Sequence, residues 1–252
     1  MSDDFILDIR SVTKRFPGVT ALDNVSMQIR RGEIHGLCGE NGAGKSTLMK
    51  ILSGVYPHGT YEGTIIYDGA ELDLGTGAIR QARDEGIAIV YQELTLVPNM
   101  TVGENVFLGK EPVANGSIDW NKLYAETRDI LATYRLDVQP QAIVRHLGVG
   151  KMQMVEIAKA LSENAKILIL DEPTSALTES EIDKLMEILE NLRSHGVTCI
   201  YITHKLEELF RITDSITVLR DGKTVTTLPT SQLTQEKLVS YMVGREMKER
   251  FP

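Results

Sequence analysis

Nine residues constrain this chain more than any others: Gly39-Glu-Asn-Gly-Ala-Gly-Lys-Ser-Thr47. They match the phosphate-binding pattern G-x-x-x-x-G-K-[ST], which works only between a buried strand and a helix. Both flanks fit. Glu33–Cys38 is a short, mainly apolar run suited to a buried strand, and Leu48, Ile51 and Leu52 follow at helical spacing. Glycines let the backbone wrap closely around a phosphate with its amides pointing inward. Gly39, Asn41, Gly42, Ala43, Gly44, Lys45, Ser46 and Thr47 are therefore the expected phosphate cradle. Lys45 would reach the β- and γ-phosphates, and the Ser46 hydroxyl would ligate Mg2+.

A loop of this kind needs a carboxylate partner, and Lys166-Ile-Leu-Ile-Leu-Asp-Glu-Pro-Thr174 supplies one. Its apolar run predicts a buried strand, and Asp171 emerges at the end, placed to hold Mg2+. Glu172 follows directly and would orient or deprotonate an attacking water. The next strand, Val197–Thr203, ends in His204, where α/β sheets place ligands. There the imidazole could reach the γ-phosphate or hold the water. Gln92 closes the predicted strand Ile87–Tyr91, and its amide oxygen could ligate Mg2+ or contact the water. Phe16, expected in the turn at Pro17-Gly18, could stack on a base.

The rest of the chain reads as α/β. The first ~35 residues alternate apolar runs with turn signals and predict antiparallel strands, and Ile65–Tyr67 before Asp68-Gly69 predicts another. Ser215–Leu219 completes the strand series. Thr101 with Glu104, and Thr178 with Glu181, are capping boxes that open helices. Leu123, Ile130, Leu131 and Tyr134 share one face of a helix, as do Ile182, Leu185, Met186, Leu189 and Leu192 of another. Residues from about 93 to 150 thus predict a helical insert between two strands of the sheet.

The formal net charge of −8 argues against a general electrostatic grip on nucleic acid. No apolar run approaches the ~20 residues that span a bilayer, and no signal peptide opens the chain. Cys38 and Cys199 both sit in apolar runs and read as core residues rather than as a disulfide.

Taken in order, these residues resemble the nucleotide-binding domain of an ABC transporter over essentially the whole chain. Phe16, Gly39–Thr47, Gln92, Leu147–Lys151, Ile167–Asp171, Glu172, Ser175–Thr178 and His204 carry the resemblance. Leu52–Gly63, Met152–Leu161, Lys159–Glu163 and Met242–Glu246 resemble bacterial monosaccharide importers, of the xylose or multiple-sugar type. The resemblance implies a P-loop NTPase core with a mixed sheet, an antiparallel β subdomain and a helical subdomain. It implies ATP and Mg2+ as ligands and hydrolysis by water attack on the γ-phosphate. The implied partners are a second ABC domain, transmembrane permease subunits and, indirectly, a periplasmic sugar-binding protein. The implied location is the cytoplasmic face of the bacterial inner membrane, with membrane contact through the permease only. Such ATPases usually carry two domains in tandem, so residues 1–248 would form one domain, with the linker starting at Glu249–Pro252.

One departure stands out. The family signature Leu-Ser-Gly-Gly-Gln here reads Leu147-Gly148-Val149-Gly150-Lys151. Gly148 lacks the serine hydroxyl that would bind the γ-phosphate across the dimer, a loss of about 1.5–3 kcal/mol. Gly148, Val149 and Gly150 would still open a helix with amide donors. Two other readings remain open: a nucleotide-gated regulatory module with little turnover, and a soluble ABC ATPase acting on ribosomes or DNA.

Overall fold

A computed structural model describes residues 4–75 and 77–244. The last two residues of Met242–Glu246 and the linker at Glu249–Pro252 lie outside the described residues.

Phe5–Phe16 (β1) and Val19–Arg30 (β2) form an antiparallel hairpin. Ile34–Cys38 (β3) follows, runs into the glycine loop and continues as helix Lys45–Leu52 (α1). Glu62–Tyr67 (β4) pairs with β1 and, across Asp68-Gly69, with Ala70–Glu71 (β5). Helix Ala78–Asp84 (α2) leads to Ile87–Val90 (β6), then Val102–Val106 (α3). A short hairpin, Val113–Ala114 (β7) with Ser117–Ile118 (β8), precedes Trp120–Thr133 (α4). Val149–Leu161 (α5), Ile167–Asp171 (β9), Glu179–Ser194 (α6) and Thr198–Ile202 (β10) follow. Leu206–Ile212 (α7), Ser215–Arg220 (β11), Lys223–Pro229 (β12) and Gln235–Val243 (α8) complete the order.

The central sheet runs β12-β11-β3-β10-β9-β6, parallel except for the antiparallel edge pair β11–β12. A second, antiparallel sheet runs β2-β1-β4-β5. Alternate residues of the central strands feed two cores. Leu168, Leu170, Cys199 and Tyr201 pack with α5, α6 and the insert. Ile167, Ile169, Ile200 and Ile202 pack with α1, α2 and the antiparallel sheet. Burial on both faces is why these strands read as unbroken apolar runs. Cys38 and Cys199 are free and buried, and burial pushes both thiols up to about 12.

Three expectations need correction. Phe16 is the last residue of β1, paired with Val19, rather than a turn residue. The strand leading to Gln92 ends at Val90, its pairing with β9 complete at Leu170, so Tyr91 and Gln92 are already exposed loop. The helical insert does not close at residue 150. Its α5 runs on to Leu161 because Met154, Val155, Ile157 and Ala158 continue one buried face. The insert also contains the β7–β8 hairpin. Its Asn115-Gly116 turn has φ of 52° and 80°, the signature of the tight two-residue connection.

Both capping boxes form. The Glu104 carboxylate accepts from the Thr101 amide at 2.8 Å, and Glu181 accepts from the Thr178 amide at 2.9 Å. The irregular stretch between β6 and α3 is held by Asn105, which is fully buried. Its amide group donates to the Val97 and Thr101 carbonyls at 3.1 and 3.0 Å, and its oxygen accepts from the Val97 amide at 2.7 Å. Asn105→Leu keeps the volume but strips these partners. It should lower unfolding free energy by about 2 kcal/mol or more, read as a lower urea midpoint.

Candidate nucleotide-binding and hydrolytic site

Register brings the site together. Leu37 of β3 lies beside Ile202 of β10, which lies beside Asp171 of β9. Two residues past Leu37 the glycine loop begins, Glu172 is one past Asp171, and His204 is two past Ile202. Three chain segments distant in sequence thus leave the sheet at one end, where open α/β sheets bind ligands.

The loop is wedged tightly in place. Gly39 has φ 154°, and a Cβ there would sit 2.2 Å from the Leu219 carbonyl oxygen on β11. Gly44, the N-cap of α1, has φ 104°, and a Cβ would meet the Ala21 carbonyl at 2.8 Å on β2. The two sheets therefore grip the loop from both sides. Lys45 Nζ donates inward to the carbonyls of Gly39 at 2.7 Å and Glu40 at 3.1 Å. Burial pulls the Lys45 ammonium down, opposed by the charges of Glu172, Cys38 and Asp171. Burial pushes the Asp171 carboxyl up, as does neighbouring Glu172, while Lys45 counters them. The cluster is thus one cation facing two carboxylates in a partly dry setting.

His204 and Glu172 meet directly, with Nδ1 3.1 Å from Oε1. A carboxylate at that distance takes the proton-bearing Nδ1, so the imidazole donates and leaves Oε2 of Glu172 without it. Glu172 has φ 46°, an uncommon backbone for a residue with a side chain. Ser46, Asp171 and Gln92 offer hydroxyl, carboxylate and amide oxygens, the hard donors that Mg2+ prefers. Ser46 lies in the first turn of α1 and Asp171 ends β9, whereas Gln92 lies on an exposed loop after β6.

Phe16 is half-buried, edge-on to Tyr56 with ring centroids 5.4 Å apart. The Lys14 ammonium lies over both rings, 5.1 Å from Phe16 and 4.7 Å from Tyr56. Sequence reading missed Lys14, which no motif marks, and gave no role to Tyr56, although it lies within Leu52–Gly63. It also missed Glu181. Gly148 is the N-cap of α5, and the Gly150 amide donates to Glu181 Oε1 at 3.2 Å. One of the amides expected to be free at the signature helix is therefore already paired within the chain. The Thr178 capping box was the available signal, since it fixes where the Glu181 carboxylate stands. The large groove of about 820 Å³ beside Phe5, Arg10 and Glu33 holds none of these residues.

The family described as ABC transporter matches residues 22–175. This chain belongs to the ABC transporter family. It is 61% identical over 249 residues to the xylose import ATP-binding protein XylG of Thermoanaerobacter pseudethanolicus, covering 99% of this chain and 49% of that protein. It is 50% identical over 251 residues to the L-arabinose transport ATP-binding protein AraG of Geobacillus stearothermophilus, covering 99% and 48%. The dimeric structure of MJ0796, a bacterial ABC transporter cassette, superposes with a TM-score of 0.74 at 27% identity, covering 89% of this chain and 98% of that one. The resemblance read from the motifs and the α/β P-loop fold are both borne out. The chain spans about half the length of the curated relatives it matches.

Gly39→Ala adds both a strained φ and a clash with backbone, whereas Gly42→Ala adds only the strain, since a Cβ there meets nothing within 4 Å. Titration with a fluorescent ATP analogue should show Gly39→Ala weakened about tenfold or more, and Gly42→Ala weakened less.

Proposed function

We propose that this chain is an ATP-hydrolysing subunit that powers monosaccharide import, a xylose-like pentose or a related sugar. The contact between Glu172 and His204 at the mouth of the glycine loop carries the hydrolytic half of this reading. The printed names of the relatives support the sugar half.

In this reading the cradle Gly39, Asn41–Gly44, Ser46 and Thr47 receives the triphosphate through its amides, and Lys45 turns its ammonium from its own carbonyls to the β- and γ-phosphates. Glu172 orients a water for in-line attack and accepts its proton. His204 holds the Glu172 carboxylate in place through Nδ1. Ser46, Asp171 and Gln92 would hold Mg2+, which when bound would neutralise phosphate charge. Phe16 stacks on adenine, with Tyr56 bracing its edge.

The proposed partners are a second ABC domain, transmembrane permease subunits and, through them, a periplasmic sugar-binding protein. The dimeric MJ0796 cassette supports a paired arrangement. A groove of about 290 Å³ between the insert and the central sheet, lined by Ile79, Ile89, Tyr91 and Thr95, would meet the permease. Exposed Ile79 and Tyr91 line it, and Gln92 follows Tyr91 in the chain. The chain would then sit on the cytoplasmic face of the membrane without entering it. Among the described residues no helix is long and apolar enough to cross one. Residues 1–248 as one ABC domain, with a linker to a second, belong to the same proposal.

Gly148 and the pairing of Gly150 with Glu181 favour asymmetry. This chain's loop and Glu172 would build the competent ATP site, and its own signature would be a weak donor to the partner's. They also favour the second reading, a nucleotide-gated module with little turnover. Glu172→Gln separates the two. On the first reading the variant binds ATP like the parent chain but loses about 100-fold or more of its phosphate release. On the second, the parent chain binds ATP without measurable release even with its second ABC domain present.

A further inference from the structure

Behind Glu172 and His204 lies a polar cluster centred on Glu208, a residue of α7 that is only 6% exposed. Its carboxylate accepts from the Thr174 hydroxyl at 2.8 and 2.9 Å and from the Tyr201 hydroxyl at 2.8 Å. It also accepts from the Thr203 hydroxyl at 3.3 Å and pairs with the Lys205 ammonium at 3.2 Å. Three hydroxyls and one ammonium converge on two oxygens, which uses close to the full capacity of a carboxylate. Lys205 Nζ donates onward to the Thr174 carbonyl at 3.2 Å, and its backbone amide to the Thr203 hydroxyl at 3.0 Å.

The positions of those partners matter more than their number. Thr174 stands two residues after Glu172, and Thr203 immediately before His204. Glu172 sits in the left-handed region at φ 46° and so needs outside support. One support is its amide, which donates to the Ile202 carbonyl at 2.9 Å. The other is Thr174, tied to Glu208. The same carboxylate restrains the strand end that carries His204. A single buried group thus spans both backbones whose side chains meet at 3.1 Å.

We propose that Glu208 is a positioning residue for hydrolysis, holding Glu172 and His204 in mutual contact without touching substrate. The proposal rests on the hydrolytic reading above. In Glu208→Gln the amide supplies one acceptor oxygen and no charge for Lys205, so the two segments should separate while the glycine loop stays intact.

Two readouts on the full chain test it. In steady-state turnover, Glu208→Gln should lower kcat about tenfold or more and leave KM for ATP within about twofold. Thr174→Val should act the same way, and Thr174→Ser, which keeps the hydroxyl, should recover most of that loss. The second readout needs no turnover. The ring signal of His204, assigned by its absence in His204→Ala, is followed by NMR. Glu172→Gln shifts it in the parent chain because the two groups touch. That shift should shrink by at least half in the Glu208→Gln background, and it should persist with Thr174→Ser but not Thr174→Val. An undiminished shift overturns the proposal, and so does a kcat unchanged in Glu208→Gln and Thr174→Val. A parent chain without turnover when its second ABC domain is present defeats the hydrolytic reading instead, and the His204 signal then decides the positioning role alone.

Discussion

Everything at the site depends on the parallel pairing of β3 between β10 and β11. That pairing starts the glycine loop beside the strand end that carries His204, and β9 adds Asp171 and Glu172 one strand further on. Parallel pairing is what aligns the carboxyl ends of strands that are far apart in sequence. A shift of one residue in β10 would send Tyr201 and Ile202 to the wrong cores and turn His204 away from Glu172. The apolar faces of the sheet therefore fix the polar geometry at its edge.

The loop itself is held by contact with backbone on both sides. Leu219 on β11 and Ala21 on β2 leave no room for side chains at Gly39 and Gly44. The antiparallel sheet is thus more than a platform for Phe16, since it walls one side of the glycine loop. The facing charges are arranged with similar economy. The Lys45 charge offsets part of the desolvation of Asp171, and the Asp171 and Glu172 charges offset part of that of Lys45, while Glu172 adds to the push on Asp171.

The signature region shows how a local departure changes a surface. Gly148 removes a hydroxyl, and Glu181 places a carboxylate on the Gly150 amide. A helix N-terminus that already carries an anionic side chain has less to offer a phosphate. The two changes act in the same direction, although they lie on different helices and only one is visible in the signature motif itself.

Much of this site was legible before any coordinates. The glycine loop, the strand ending in Asp171-Glu172 and the strand ending near His204 are short motifs whose chemistry is carried by residue type and spacing. Both capping boxes were equally readable, because their partners stand three residues apart. The β7–β8 hairpin was not read, although Asn115-Gly116 marks it, because it is short and lies among helices. The insert was expected to close near residue 150, where the signature motif opens α5, but the buried face of that helix continues to Leu161. By itself, then, the sequence determined most of the local structures and which side chains are candidates for phosphate and proton chemistry. Tertiary structure decided which of them meet. The 3.1 Å contact of His204 with Glu172, the Glu208 cluster behind it, the grip on Gly39 and the capture of the Gly150 amide all join residues set apart along the chain. Contacts of that kind follow from sheet register and helix packing, and no local pattern encodes them.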